Sequence, residues 1–138
     1  MKNLKYYLIL SLFIIACKKE VKQSDNDQKA DDLKVNKEVT LITLDPGHFH
    51  AGLVQKSMYD AINDTVYVYA PDGKDLESHL KLIDGFNNRE KNPTNWTEKV
   101  YRGDDYLQKM VAGQKGNVMV VSGKNNKKID YIKAAIDA

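Results

Sequence analysis

From residue 39 onward the chain alternates between two hydrophobic periods. Val39 to Leu44 is a short apolar run that reads as a strand. Leu53, Val54, Ser57, Met58, Ala61 and Ile62 then recur at the spacing of one helix face. Thr65 to Ala70, TVYVYA, is rich in β-branched and aromatic residues and predicts a second strand. Leu76, Leu80, Ile83 and Phe86 mark a second helix. After the loop NNREKNPTNW, Glu98 to Tyr101 predicts a weaker strand, followed by a helix that turns Tyr106, Leu107, Met110 and Val111 inward, with Asp104 as its cap. Val118 to Val121 is uninterrupted and apolar, the pattern of a strand covered on both faces. Ile129, Ile132, Ala135 and Ile136 form the inward side of a last helix.

Strand and helix thus alternate four times. That order predicts an α/β fold with a parallel sheet, and right-handed crossovers make it a doubly wound, Rossmann-like unit. Residues 39–138 are enough chain for one small domain.

The residues before position 39 have a different character. Lys2 and Lys5 precede the apolar run Tyr6 to Ala16, which is shorter than the ~20 residues of a membrane span and ends on a small residue, as a signal peptide does. Ile14-Ile15-Ala16-Cys17 resembles a bacterial lipobox, whose cysteine becomes the lipid-bearing first residue. Cys17 is the single cysteine of the chain, which leaves no intrachain disulfide and no thiolate cluster, and lipidation accounts for its position. Residues 1–16 are therefore expected to be a lipoprotein signal peptide, and residues 17–38, polar and without an aromatic, a disordered tether. The expected location is the bacterial cell envelope, anchored to the membrane through Cys17, on the periplasmic side or the cell surface.

Charge adds one exclusion. The formal net charge of +2 is contributed by Lys2 and Lys5, and the rest of the chain holds 19 basic and 19 acidic residues. A neutral domain with no basic stripe gives no electrostatic case for nucleic-acid binding.

Candidate chemistry concentrates in LITLDPGHFHAGLVQ, Leu41 to Gln55, where the first strand breaks into a turn. In a doubly wound fold this turn lies at the carboxyl edge of the sheet, where ligands bind and anions meet a helix N-terminus. Gly47 is placed where backbone approaches a phosphate. Asp45, His48 and His50 form a possible ligand set for zinc or iron, but they lack a well-placed further ligand, since His79 belongs to another helix. Either histidine is suited to act as a general base near neutral pH. Both could equally cap the helix or pack locally, and spacing alone leaves these alternatives open.

LITLDPGHFHAGLVQ, VYVYAPDG, EKVYRGDDYLQKM and GNVMVVSGKNNKKIDYIKAAIDA, in that order, resemble the N-terminal domain of the glucose-fructose oxidoreductase and inositol dehydrogenase family (Gfo/Idh/MocA), and in particular a secreted branch carrying the DPGHFHA loop. The resemblance implies NAD or NADP as cofactor and hydride transfer to or from a sugar or cyclitol-like substrate held by a second domain. Asp45, Gly47 and His50 fall on the three glycines of the family's G-x-G-x-x-G loop, with the middle one retained. The implied cofactor-binding residues are Gly47, His48, Phe49 and His50 of the loop, Asp72 for the adenine ribose, and Ser122 and Asn125 after the fourth strand. Pro71-Asp72-Gly73 is also an ordinary turn sequence, and Lys124, Lys127 and Lys128 read as a solvated helix start. Gly123, Lys124 and Lys128 replace the threonine, proline and histidine that relatives carry there. Trp96 and the loop before it are expected to cover the domain edge. The family's Glu-Lys-Pro-type motif, with its proton-transferring lysine, does not occur in these residues, so the chain is expected to be the front part of a longer oxidoreductase, with no catalytic residue of its own to name. A non-catalytic or metal-binding lipoprotein module is the alternative.

Overall fold

The computed structural model describes residues 37–138. The expected signal peptide, Cys17 and most of the expected tether lie outside these residues.

Four parallel strands, β1 (Leu41–Leu44), β2 (Thr65–Ala70), β3 (Thr97–Arg102) and β4 (Val118–Val121), form one sheet in the order β3-β2-β1-β4. A 3-10 helix (Phe49–Lys56) follows β1, and α1 (Lys74–Asn87), α2 (Tyr106–Gly113) and α3 (Asn125–Ile136) follow the other three strands. The fold is α/β with a parallel sheet flanked by helices, as expected, and is consistent with a Rossmann-like unit.

Alternation along the strands builds two cores. Leu41, Val66, Val68 and Ala70 pack with Leu76 and Ile83 of α1 and with Trp96. Ile42, Leu44 and Tyr69 pack on the other face with Tyr106 and Met110 of α2 and Tyr131 of α3. Successive strand side chains point to opposite faces, so one short strand serves both layers. Trp96 is buried rather than laid over an edge, and its indole N–H donates to the Gln55 carbonyl at 2.6 Å. Asn87 fastens the loop before it, accepting from Trp96 N at 3.0 Å and from Thr94 Oγ1 at 2.7 Å.

Several expectations change. The helix expected across residues 53–62 is a 3-10 helix that ends at Lys56. Beyond it Ala61 and Asn63 give their backbone groups to Val39, as Val39 N bonds Ala61 O at 3.0 Å and Asn63 N bonds Val39 O at 2.7 Å. Those groups are then unavailable to a helix ladder, and Leu53 and Met58 remain exposed. The first strand correspondingly begins at Leu41, with Val39 in an isolated bridge to Ile62.

The N-cap of α2 is Asp105 rather than Asp104. Its carboxylate pairs with Lys109 Nζ at 2.7 Å instead of capping a backbone N–H. That bond to the Lys109 ammonium holds the Asp105 carboxyl below its usual range.

β4 pairs with β1 alone and is an edge strand among the described residues, so Val118 is 43% exposed instead of covered on both faces. α3 is rotated from the expected orientation: Ile129, Ile132 and Ile136 are 57%, 43% and 78% exposed, while Tyr131 is buried. The tyrosine's hydrogen bonds, described below, fix that rotation. Finally, the last two residues of the expected tether are attached to the domain. Lys37 Nζ pairs with Asp64, and the Glu38 carbonyl accepts from Asn117 Nδ2 at 2.7 Å. No helix among the described residues is long and apolar enough to cross a membrane.

Candidate functional site

The strand order reverses at β1. The chain moves from β1 through β2 to β3, then returns to place β4 on the other side of β1. In parallel sheets the loops leaving the two strands at such a point diverge, and the crevice between them is the usual ligand site. Here the diverging loops are residues 45–50 after β1 and 122–125 after β4. His48, His50, Ser122, Gly123, Lys124, Asn125 and Lys128 line one open cavity between them. Sequence-predicted residues from positions 77 apart in the chain, His48 and Asn125, are thereby brought to one place.

Two glycines allow the loops to touch. A Cβ on Gly123 would stand 2.4 Å from the Asp45 carbonyl oxygen, and one on Gly47 would stand 3.3 Å from Gly123 Cα. A side chain at Gly123 would therefore separate the loops. Gly123 carried no signal of this in the sequence, because its neighbour across the crevice lies 78 positions earlier.

Asp45 adopts a left-handed backbone conformation, φ 45°, in place of the glycine expected at the start of a dinucleotide loop. Aspartate tolerates that region better than most residues. Its side chain is buried, and Oδ2 accepts from Tyr131 Oη at 2.6 Å. Tyr131 Oη in turn lies 2.6 Å from Tyr106 Oη, which joins the loop to α3 and α2 through three side chains. Burial, then the bonds to Asp45 and Tyr106, raise the Tyr131 phenol well above its ordinary pKa of 10.0. Tyr131 therefore stays a neutral donor, and the Asp45 carboxylate is occupied by it.

The histidines of the loop pack against Phe49 in tilted arrangements, with ring centroids 4.5 Å (His48) and 4.2 Å (His50) from the phenylalanine. His48 caps the 3-10 helix: its Nδ1 accepts from His50 N at 3.3 Å. The local capping role is thus present for His48. Phe49 itself is 60% exposed. Among the described residues no three His, Cys, Asp or Glu side chains are grouped to hold a metal ion, so Asp45, His48 and His50 do not converge as ligands. The inward bond of Asp45 to Tyr131 is the reason.

Asp72 lies at the same edge of the sheet but in a neighbouring cavity of about 200 Å³, which it shares with Asp45, Lys74, Asp75, Lys124 and Lys127. Arg102 Nη1, at the end of β3, approaches Asp72 Oδ1 at 3.4 Å and Glu77 Oε1 at 3.0 Å. A third cavity, about 220 Å³, runs between the loop and α1 and is lined by Gly47, His48, Phe49, Asp75, Ser78 and His79. Behind it His79, Gln55 and Glu98 form a buried polar cluster. Gln55 Nε2 donates to Glu98, and His79 Nε2 stands 3.9 Å from Glu98 Oε2. The sequence signalled neither this cluster nor the Tyr131 link, since each joins residues from separate elements.

No protein-family model matches the chain, and no curated protein does. Among solved structures, the crystal structure of a "putative oxidoreductase" from Parabacteroides merdae ATCC 43184 matches with a TM-score of 0.73 and 59% sequence identity. The match covers 75% of this chain, and the chain spans 24% of that protein. Likeness in both sequence and fold supports an oxidoreductase-like α/β domain.

Proposed function

We propose that residues 39–138 form the NAD- or NADP-binding domain of an oxidoreductase acting on a sugar or cyclitol-like substrate, anchored in the bacterial cell envelope through lipidated Cys17. The observation that carries the reading is the crevice at the reversal of strand order, where the Gly47 and Gly123 backbones come together. Its residues fit a dinucleotide. Gly47 leaves room for backbone approach, and the one acidic side chain within the loop is turned into the core onto Tyr131. Lys124 and Lys128 bring positive charge to the opposite wall.

In this reading Gly47, His48, Phe49 and His50 hold the pyrophosphate, Asp72 the adenine ribose, and Ser122 and Asn125 the nicotinamide end. The bound dinucleotide supplies the hydride acceptor or donor. Binding and orienting it is the work of these residues, and no catalytic residue is assigned among them. That the chain spans 24% of the neighbouring oxidoreductase supports assigning the substrate to a second domain.

Calorimetric titration of the purified protein with NADH and NADPH tests the cofactor. Binding of either is expected, weakened by Gly47→Val because the added methyls crowd Gly123. Absence of binding by both would defeat the assignment, and zinc binding lost in His48→Ala and His50→Ala would point to the metal alternative. Anchoring is tested in the bacterial host, where wild-type protein should carry lipid label in the membrane fraction and Cys17→Ser should not.

A further inference from the structure

We propose that the cavity between the loop after β1 and helix α1 is a binding site for a small organic molecule carrying a primary ammonium group, with Asp75, Ser78 and His79 as its hydrogen-bond partners. The site goes beyond the dinucleotide reading above and does not rest on it.

Asp75, Ser78, His79 and Leu82 fall at i, i+3, i+4 and i+7 of α1, so they form one stripe of that helix. Across a cavity of about 220 Å³ the stripe meets Pro46, Gly47, His48 and Phe49 of the loop. A cavity of ~150 Å³ accepts a benzene ring, so this one has room for a six-membered ring with a substituent. A Cβ at Gly47 would stand 3.6 Å from Asp75 Oδ2, in contact with it, so the bare glycine leaves that carboxylate open to the cavity. Hydrogen-bonding groups thus line the helix side, while Pro46 and the 60% exposed Phe49 give the loop side an apolar wall.

His79 is buried in this wall, 3% exposed, and its Nε2 has no hydrogen-bond partner. That nitrogen stands 3.9 Å from Glu98 Oε2, which also has none, while the other Glu98 oxygen is held by Gln55 Nε2. A carboxylate only accepts, and an uncharged imidazole has one donor and one acceptor, so Nε2–H turned toward Glu98 leaves the opposite ring nitrogen as an acceptor. Asp75 is exposed and belongs to none of the ion pairs among the described residues, although Lys74, Lys124 and Lys127 border the neighbouring cavity that it also lines. Carboxylate, hydroxyl and imidazole are therefore three acceptors on neighbouring positions of one helix face. A primary ammonium has three donors and no acceptor. Charge selects in the same direction. No lysine or arginine is among the lining residues of this cavity, and Glu98 adds a second carboxylate behind His79. An anion would be repelled, and a neutral ligand would forgo the stronger, charge-assisted bond to Asp75. The aromatic ring of Phe49 beside that carboxylate also favours a cation.

Ligand-observed NMR on the purified full chain, without dinucleotide, tests the site with two matched pairs: cyclohexylamine against cyclohexanol, and glucosamine against glucose. Each pair keeps the ring and exchanges an ammonium for a hydroxyl. At least one amine should bind about tenfold more tightly than its alcohol, since charge-assisted hydrogen bonds are roughly twice as strong as neutral ones. The preference should shrink as salt is raised. The pair that shows it tells whether the ring is a hydrocarbon or a sugar. Asp75→Asn, an isosteric change at an exposed position, should keep the circular dichroism of wild type and abolish the preference. Alcohols that bind as tightly as their amines, an amine preference that survives Asp75→Asn, or no binding of any of the four probes would each overturn the site. Titration with NADH is a separate measurement, so the dinucleotide reading can stand or fall independently.

Discussion

Replacing Tyr131 by phenylalanine removes one oxygen from the centre of the Asp45–Tyr131–Tyr106 chain and leaves the ring in place. Tyr131 is 2% exposed and Asp45 5%, so water cannot readily take over either lost contact. A hydrogen bond to a charged group contributes ~1.5–3 kcal/mol, and a buried acceptor left unpaired costs ~1–3 kcal/mol, two descriptions of overlapping losses. The Tyr106 hydroxyl also loses its partner. A net destabilisation of about 2–4 kcal/mol is expected, most of it from Asp45. Tyr59→Phe, at an exposed tyrosine, is the control and should fall within ~0.5 kcal/mol of wild type. Urea denaturation followed by tryptophan fluorescence reads both, because the one tryptophan, Trp96, is buried in the core. Alkaline pH supplies a second signature. The raised pKa of Tyr131 means the folded state keeps a proton that the unfolded state releases above pH 10.0. Stability from this group is therefore complete below that pH and falls above it, by ~1.4 kcal/mol per pH unit at most. Tyr69, raised by burial and by Tyr101 and Tyr67, contributes in the same direction. Tyr131→Phe should remove its share of the slope and leave that of Tyr69. A loss below ~0.5 kcal/mol together with an unchanged alkaline slope would refute the account of Asp45 as an anchored carboxylate.

Gly123→Ala places a methyl 2.4 Å from the Asp45 carbonyl and should cost about 1–3 kcal/mol while also reducing dinucleotide affinity, read by denaturation and titration of the same sample. Ile136→Ser, on the exposed side of α3, should change stability by less than ~0.5 kcal/mol, whereas Ile83→Ala in the core should cost about 2–5 kcal/mol. Equal effects of the two isoleucine substitutions in a thermal melt would contradict the rotation of α3.

Strands and helices were legible where period, length and composition agreed. Thr65–Ala70 matches β2 residue for residue, and Leu76, Leu80, Ile83 and Phe86 do lie on the core side of α1. Residues 53–62 misled because apolar residues at helical spacing do not reveal that Val39, in a distant part of the sequence, takes the backbone groups of Ala61 and Asn63. α3 misled differently. Three isoleucines outweigh one tyrosine on any hydrophobic scale, yet Tyr131 has a carboxylate partner 86 positions away and turns inward. The apolar run of β4 likewise does not distinguish an edge from a centre, which depends on the order of pairing. At the carboxyl edge, placement of the loops followed from topology, but the occupied state of the Asp45 and Arg102 side chains did not.

The attachment of Lys37 and Glu38 has a consequence for handling the protein. Their partners, Asp64 and Asn117, precede β2 and β4, so the chain enters the domain at the amino ends of the parallel strands. The crevice opens at the other ends, beyond strands of four to six residues, roughly 13–20 Å away at the usual rise. Anything joined to the polypeptide ahead of residue 37, whether an immobilising tag, a fluorophore or a fused carrier, starts on the side remote from the crevice. In a form of the protein that starts at Lys37, the amino terminus is therefore the end to modify when the crevice must stay open.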